Sequence, residues 1–188
     1  LAFGNDNLTK VNLLSPYASD KYVMELYSAT ANRLYEVSSV GLRFFNVYGP
    51  RQSATNSYAG VIPIFIDRVL KKKELMINGG FQTRDFIYVN DVVLAILQSI
   101  KLVQKDTICE QINVLTGQSI SIDRLADILI ILMGSSVKKV YRELHAGDPE
   151  QSMGSTEKMV NLLNMSLKNM KNVNDGLLRT IAIIGNQD

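Results

Sequence analysis

A single cysteine, Cys109, stands in 188 residues, so no internal disulfide can staple the chain, and a reducing, cytoplasmic compartment is expected. Charge of either sign is scarce in excess: the formal net charge is +2, which offers no bulk electrostatic case for nucleic acid or an anionic membrane. The one basic run, Lys71 to Lys73, reads as a solvated helix end. Long hydrophobic runs are missing too. The most apolar stretch, "LADILIILMG", is far shorter than the roughly 20 residues of a membrane span and contains Asp127. The opening "LAFGNDN" has no basic n-region, no long apolar core and no methionine, which argues against a signal peptide and suggests a fragment. No repeat or low-complexity tract occurs, and no glycine-rich G-x-x-G-x-x-G turn. What is present is 46% hydrophobic content, enough for a real core in one domain or two small lobes.

Along the chain, Ser15 is expected as an N-cap with Pro16 at the first helical position, where its missing N–H costs nothing. "YASDKYVMELYSATANRLYEV" then reads as helix, free of Gly and Pro. "VGLRFFNVYG" predicts one buried strand closed by Gly49-Pro50. A helix is expected from near Pro63, then a short strand "LMING". "RDFIYVNDVVLAILQSI" predicts a strand passing to a helix capped by Asn90 or Asp91. Strand "QINVLTG", helix "SIDRLADILIILMG", strand "VKKVYREL" and helix "NVNDGLLRTIAIIG" complete the reading. Strands alternating with helices make this an α/β protein.

The chemistry concentrates in "SPYASDKY", which places Tyr17 and Lys21 four residues apart on one helix face. A free tyrosine titrates near pH ~10, about 4 kcal/mol from serving as a base at neutrality. A neighbouring ammonium favours the phenolate and narrows that gap. A phenol poised this way can take a proton from a sugar hydroxyl while hydride leaves the same carbon for a nicotinamide.

Tyr17-x-x-x-Lys21 alone is common on any helix. It is followed in order by "GLRFFNVYGPRQ", "YAGVIPIF", "FQTRDFIYVNDVVLAI" and "HAGDPEQS". This series resembles the C-terminal two-thirds of the extended short-chain dehydrogenase/reductase family, in its NAD-dependent nucleotide-sugar epimerase branch. The resemblance implies the C-terminal part of a Rossmann-like doubly wound parallel sheet plus a small substrate-binding α/β lobe. Residues 1–56 would be the remnant of the NAD-binding domain carrying the Tyr-Lys helix. Residues 57–188 would be mainly the nucleotide-sugar lobe, with segments returning to the sheet.

By that resemblance Tyr17 is the acid/base and Lys21 binds the ribose and tunes the tyrosine. Phe45 would contact the nicotinamide end of NAD and Asn46 the sugar diphosphate; both sit at the C-terminal end of a predicted strand, where open α/β sheets bind ligands. Arg84 matches a diphosphate-holding arginine, whose fork suits phosphate oxygens; a structural pair with Asp85 or Asp91 is its other reading. Asp91 is expected to be a helix cap rather than a ligand. Tyr58 and Val61, within Ser57 to Pro63, would close over the uridine and sugar. No metal is implied.

Three departures qualify the likeness. His145 stands, with Asp148 in "HAGD", where the family has Arg-Pro-Gly-Asp, so diphosphate binding is expected to weaken above pH ~7. The segment that would carry the catalytic serine or threonine and the NAD cradle does not lie within these residues. Leu1 replaces a glutamate found in the related dehydratases, which points away from water elimination. Ser152 occupies a gatekeeper position where a small residue leaves room for a 2-acetamido group. The expected activity is therefore 4-epimerisation of UDP-N-acetylglucosamine and UDP-N-acetylgalactosamine, with UDP-glucose/UDP-galactose or a nucleotide-sugar decarboxylase or reductase as alternatives. An inactive fragment, acting at most as a nucleotide-sugar-binding or partner-binding lobe, is the reading from a different class. Family members are usually homodimers. A truncated sheet is expected to expose an edge and apolar helix faces, with poor solubility.

Overall fold

The computed structural model of the chain describes residues 3–4, 16–56, 59–144 and 148–184. The mixed α/β expectation holds, with two hydrophobic cores. Strand β1 (Phe3–Gly4) is followed by helix α1 (Pro16–Tyr35), whose first residue is the expected proline. Ser15 lies outside the described residues.

Strands β2 (Ser39–Phe44) and β3 (Asn46–Tyr48) replace the single strand expected over "VGLRFFNVYG". The break falls at Phe45, whose N–H donates to Val114 O while its own carbonyl accepts from Val47 N. That local turn ends one ladder and begins another, and β2 is half-buried rather than buried.

Beyond these come α2 (Val61–Leu70), β4 (Leu75–Asn78), β5 (Thr83–Tyr88), α3 (Val89–Lys105) and β6 (Cys109–Val114). Next are β7 (Ser119–Ser121), α4 (Ile122–Leu132), β8 (Lys139–Arg142), β9 (Met153–Gly154), α5 (Glu157–Leu163) and α6 (Val173–Ile184). Helix α2 starts at Val61, two residues ahead of Pro63, with Gly60 as N-cap. Helix α3 is capped at Tyr88, so neither Asn90 nor Asp91 plays the expected part. Asp91 instead accepts the backbone N–H of Lys171 at 2.9 Å, tying α3 to the segment before α6. Lys71 to Lys73 are exposed at the end of α2, where Lys71 pairs with Asp67 one turn back.

Strand β2 pairs in parallel with β6, from Ser39↔Cys109 to Phe44↔Val114. Because side chains alternate across a strand, Val40, Leu42, Ile112 and Val114 share one face. They form a core there with Val92 and Ala95 of α3 and Met159 and Leu163 of α5. The opposite face carries Ser39, Gly41, Arg43, Cys109, Gln111 and Asn113 and is almost wholly polar. Helix α1 lies over this face, joined to it by the Arg43–Glu25 ion pair, and buries none of its residues.

The second core gathers α2, α4 and α6 around β4 and the mixed sheet β3-β5-β7, in which β7 runs antiparallel to β5. Tyr48 stands at its centre, 2% exposed and edge-on to Phe86 and Tyr88. Strand β4 pairs with β8.

Asp85 of β5 is 1% exposed and accepts from Thr116 N–H at 2.9 Å and Thr116 Oγ1 at 2.8 Å. Burial pushes its pKa above the ordinary value, with the Thr116 hydrogen bonds opposing. A raised folded-state pKa means the folded protein holds this proton more tightly than the unfolded chain. Stability should therefore fall as pH rises through the window just above the ordinary carboxylate value, down to a level constant once both states are ionised. Urea unfolding across that window should show a shallower slope in Asp85→Asn; an unchanged slope would dismiss the account.

Candidate active site

Tyr17 and Lys21 lie on the first turns of α1, with the Lys21 ammonium 5.5 Å from the centroid of the Tyr17 ring. Both face a cavity of about 730 Å³ between α1 and the polar side of β2–β6. Phe45, in the turn after β2, and Asn46, the first residue of β3, line it, as do Arg84 and Ser152. Six of the expected site residues thus converge on one space, from segments spread over residues 17–152.

Each wall is built by local bonding. The chain from Pro149 to Ser152 is stitched to β5: Thr83 N–H donates to Glu150 O, and Ser152 N–H to Thr83 O. The Arg84 guanidinium donates through Nη1 to Thr83 O at 2.9 Å and Pro149 O at 2.8 Å. Its hydrogen bonds go to these carbonyls, whereas the Asp85 and Asp91 carboxylates accept from Thr116 and Lys171. Both bonds use Nη1, and Arg84 lines the cavity, where the remaining guanidinium donors suit an anion. Partial burial lowers the guanidinium's pKa, and exposed Asp148 nearby counteracts this; arginine stays charged regardless. Ser152 is 8% exposed, its carbonyl accepting from Ser119 Oγ at 2.8 Å. Gly154 lets the Phe45 ring pack close: a Cβ there would come within 2.6 Å of Phe45 Cζ.

Val61, expected over the sugar, opens α2 and packs against the second core rather than lining the cavity. Tyr58 and His145 lie outside the described residues. Sequence reasoning passed over Glu25, Arg43, Gln111 and Asn113, which also line the cavity. A signal existed: Glu25 continues the four-residue spacing of Tyr17 and Lys21, and the other three alternate along two strands. Among the described residues, no group of three or more His, Cys, Asp or Glu could hold a metal ion, and no helix is long and apolar enough to cross a membrane.

The sequence model of the NAD dependent epimerase/dehydratase family matches residues 3–114. The chain belongs to that family. Its member UDP-glucuronate 4-epimerase of Thermodesulfobacterium geofontis is 34% identical over 170 residues, 89% of this chain and 50% of the relative. Among solved structures, the UDP-N-acetylglucosamine 4-epimerase of Methanobrevibacter ruminantium M1, in complex with UDP-N-acetylmuramic acid, superposes with a TM-score of 0.84 at 31% identity. That match covers 98% of this chain and 59% of the other. The UDP-glucose 4-epimerase of Thermotoga maritima with UDP-glucose gives a TM-score of 0.85 at 31% identity, covering 97% and 60%. The chain spans about half the length of the curated relatives it matches.

The cofactor in the family's name can be tested against the residues present. A phenol and an ammonium project from one helix face towards the cavity that Phe45 also lines, and among the described residues buried Gln111 Oε1 has no hydrogen-bond partner. An orphaned acceptor of this kind calls for a donor from outside the described residues. The set fits the nicotinamide and ribose end of a dinucleotide. The glycine-rich turn for its pyrophosphate is not within these residues.

Proposed function

We propose that this chain carries the catalytic tyrosine and the sugar-binding wall of an NAD-dependent UDP-sugar 4-epimerase. The observation that carries the reading is the convergence of Tyr17, Lys21, Phe45, Asn46, Arg84 and Ser152 on one cavity. NAD, held by Tyr17, Lys21 and Phe45, would supply reversible hydride transfer at C4 of the sugar. Tyr17, as phenolate, takes the C4 hydroxyl proton and gives it back, so no proton is consumed over a cycle. Lys21 stabilises the phenolate and offers a donor to ribose. Arg84 and Asn46 hold the diphosphate while the 4-keto sugar turns. Phe45 covers the nicotinamide end and excludes water.

The reading extends to the N-acetylated pair, UDP-N-acetylglucosamine and UDP-N-acetylgalactosamine. Its support is Ser152, a small residue on the cavity wall. Ser152→Tyr should shift preference towards plain hexoses, lowering the ratio of kcat/KM for the N-acetylated over the plain sugar by about tenfold or more. An unchanged ratio would remove Ser152 from specificity.

The test of the whole reading is intact mass, released-nucleotide analysis and an epimerase assay with UDP-N-acetylglucosamine on the purified protein. Released NAD with turnover supports it. UDP-sugar binding without turnover would reduce the chain to a binding lobe, and neither would reject the reading.

A further inference from the structure

Helix α1 carries the acid/base residue, yet packing against the other described residues does little to hold it. None of its twenty residues is buried. A surface helix normally presses an apolar stripe onto its sheet; here Val23, Met24, Leu26 and Tyr27 are exposed, and the sheet face opposite is polar. The geometry of Tyr17 relative to Lys21 is internal to the helix and fixed by it. Where the helix stands relative to Phe45 and Asn46 is a separate matter, and apolar contact among the described residues does not settle it.

One interaction between helix and strand has the geometry to do so. Arg43 of β2 donates through Nε to Glu25 Oε1 at 2.8 Å and through Nη2 to Glu25 Oε2 at 2.7 Å. Both side chains are largely shielded, 14% and 15% exposed. A two-pronged guanidinium–carboxylate contact fixes distance and orientation together, which a lysine point charge does not. Glu25 lies four residues beyond Lys21 and eight beyond Tyr17, on the cavity side, and Arg43 lies two residues before Phe45.

We propose that the Glu25–Arg43 pair is a positioning device that sets α1 on β2 and thereby places the Tyr17 phenol against the sugar; this rests on the functional reading above. The diphosphate wall is built independently, because Arg84 and Ser152 are bonded to β5 and its neighbouring segment. Disturbing the pair should therefore displace the acid/base residue and leave the anchor where it is.

The test uses Arg43→Met, Arg43→Lys and the exchanged pair Glu25→Arg with Arg43→Glu, in the full-length protein carrying these residues. Hydrogen exchange of α1 amides should rise about tenfold in both single variants, while exchange in β3, β5 and α4 stays at its starting level. In the same variants kcat should fall about tenfold or more, since a misplaced reacting group loses orientation. KM for the UDP-sugar should stay within about twofold, as ground-state binding is untouched. The exchanged pair should recover both exchange and kcat to within about threefold. Unchanged α1 exchange, equal changes in kcat and KM, or failure of the exchanged pair to recover either would overturn the proposal. Arg43→Lys keeps the charge and serves if Arg43→Met does not fold. If the unsubstituted protein shows no turnover, the functional reading fails by itself; α1 exchange in the variants still decides whether the pair holds the helix.

Discussion

Tyr17→Phe is expected to lower kcat for epimerisation by about 10²- to 10⁴-fold, the range for removal of a general acid/base, with almost no loss of stability. The separation of the two effects is the informative part. The Tyr17 side chain is 71% exposed on a helix without buried residues, so deleting one oxygen takes nothing from a core. The change in unfolding free energy should stay within about 0.5 kcal/mol, as for most surface substitutions. Lys21→Met should also lower kcat, because the ammonium 5.5 Å from the Tyr17 ring centroid, proposed above as the donor to ribose, is lost. Steady-state assays beside a thermal melt check this directly. Tyr17→Phe retaining more than a tenth of the activity would take the tyrosine out of the proton transfer.

The second large effect concerns the core. Gly176→Ala in α6 should destabilise the protein by about 2–3 kcal/mol, although alanine is the better helix former by about 1 kcal/mol. A Cβ at Gly176 would collide with the Tyr48 hydroxyl and lie 2.8 Å from Cζ. Tyr48 cannot easily yield: it is 2% exposed, packed edge-on against Phe86 and Tyr88, and its hydroxyl donates to Val173 O at 3.3 Å. Burial and the nearby Asp91 carboxylate hold its pKa well above the usual tyrosine value, so the ring stays neutral. In a chain of this size the loss corresponds to a Tm lower by about 4–12 °C. Tyr48→Phe alone forfeits one long hydrogen bond, about 0.5–1.5 kcal/mol. The double variant should lose clearly less than the sum, since phenylalanine removes the oxygen in the way. Strict additivity would mean the helix moves aside instead.

How much of this could be read from the residues depends on the range of the interaction. Helix α1 was legible because Pro16 opens it and a long stretch without Gly or Pro follows. The break at Phe45 was not, because Phe44, Phe45, Val47 and Tyr48 all favour strand and one of the bonds at the break reaches Val114, far along the chain. Strands β7 and β9 and helix α5 are too short for periodicity to register. Asp91 was expected to cap its own helix, and only the tertiary fold brings Lys171 N–H to it. Within the site, residue type and order pointed to Tyr17, Lys21, Phe45, Asn46, Arg84 and Ser152. The partners of Arg84 were hidden because backbone carbonyls carry no sequence signature. The packing of Val61 against the second core was hidden for a related reason: its motif is local, but that core is not.

The pairing of β2 with β6 has a consequence during synthesis. Ser39 meets Cys109 and Phe44 meets Val114, each partner seventy residues further along. At a ribosomal rate of ~5–20 residues per second, a seventy-residue wait lasts roughly 4–14 s. Throughout that interval the nascent β2 has neither its ladder nor the α3 and α5 faces that later cover Val40 and Leu42. Closing so large a loop is slow, and the edge that β6 will take is open to wrong partners meanwhile. Gly41 and the charged Arg43 are residue types that weaken adhesion of such a strand to its neighbours.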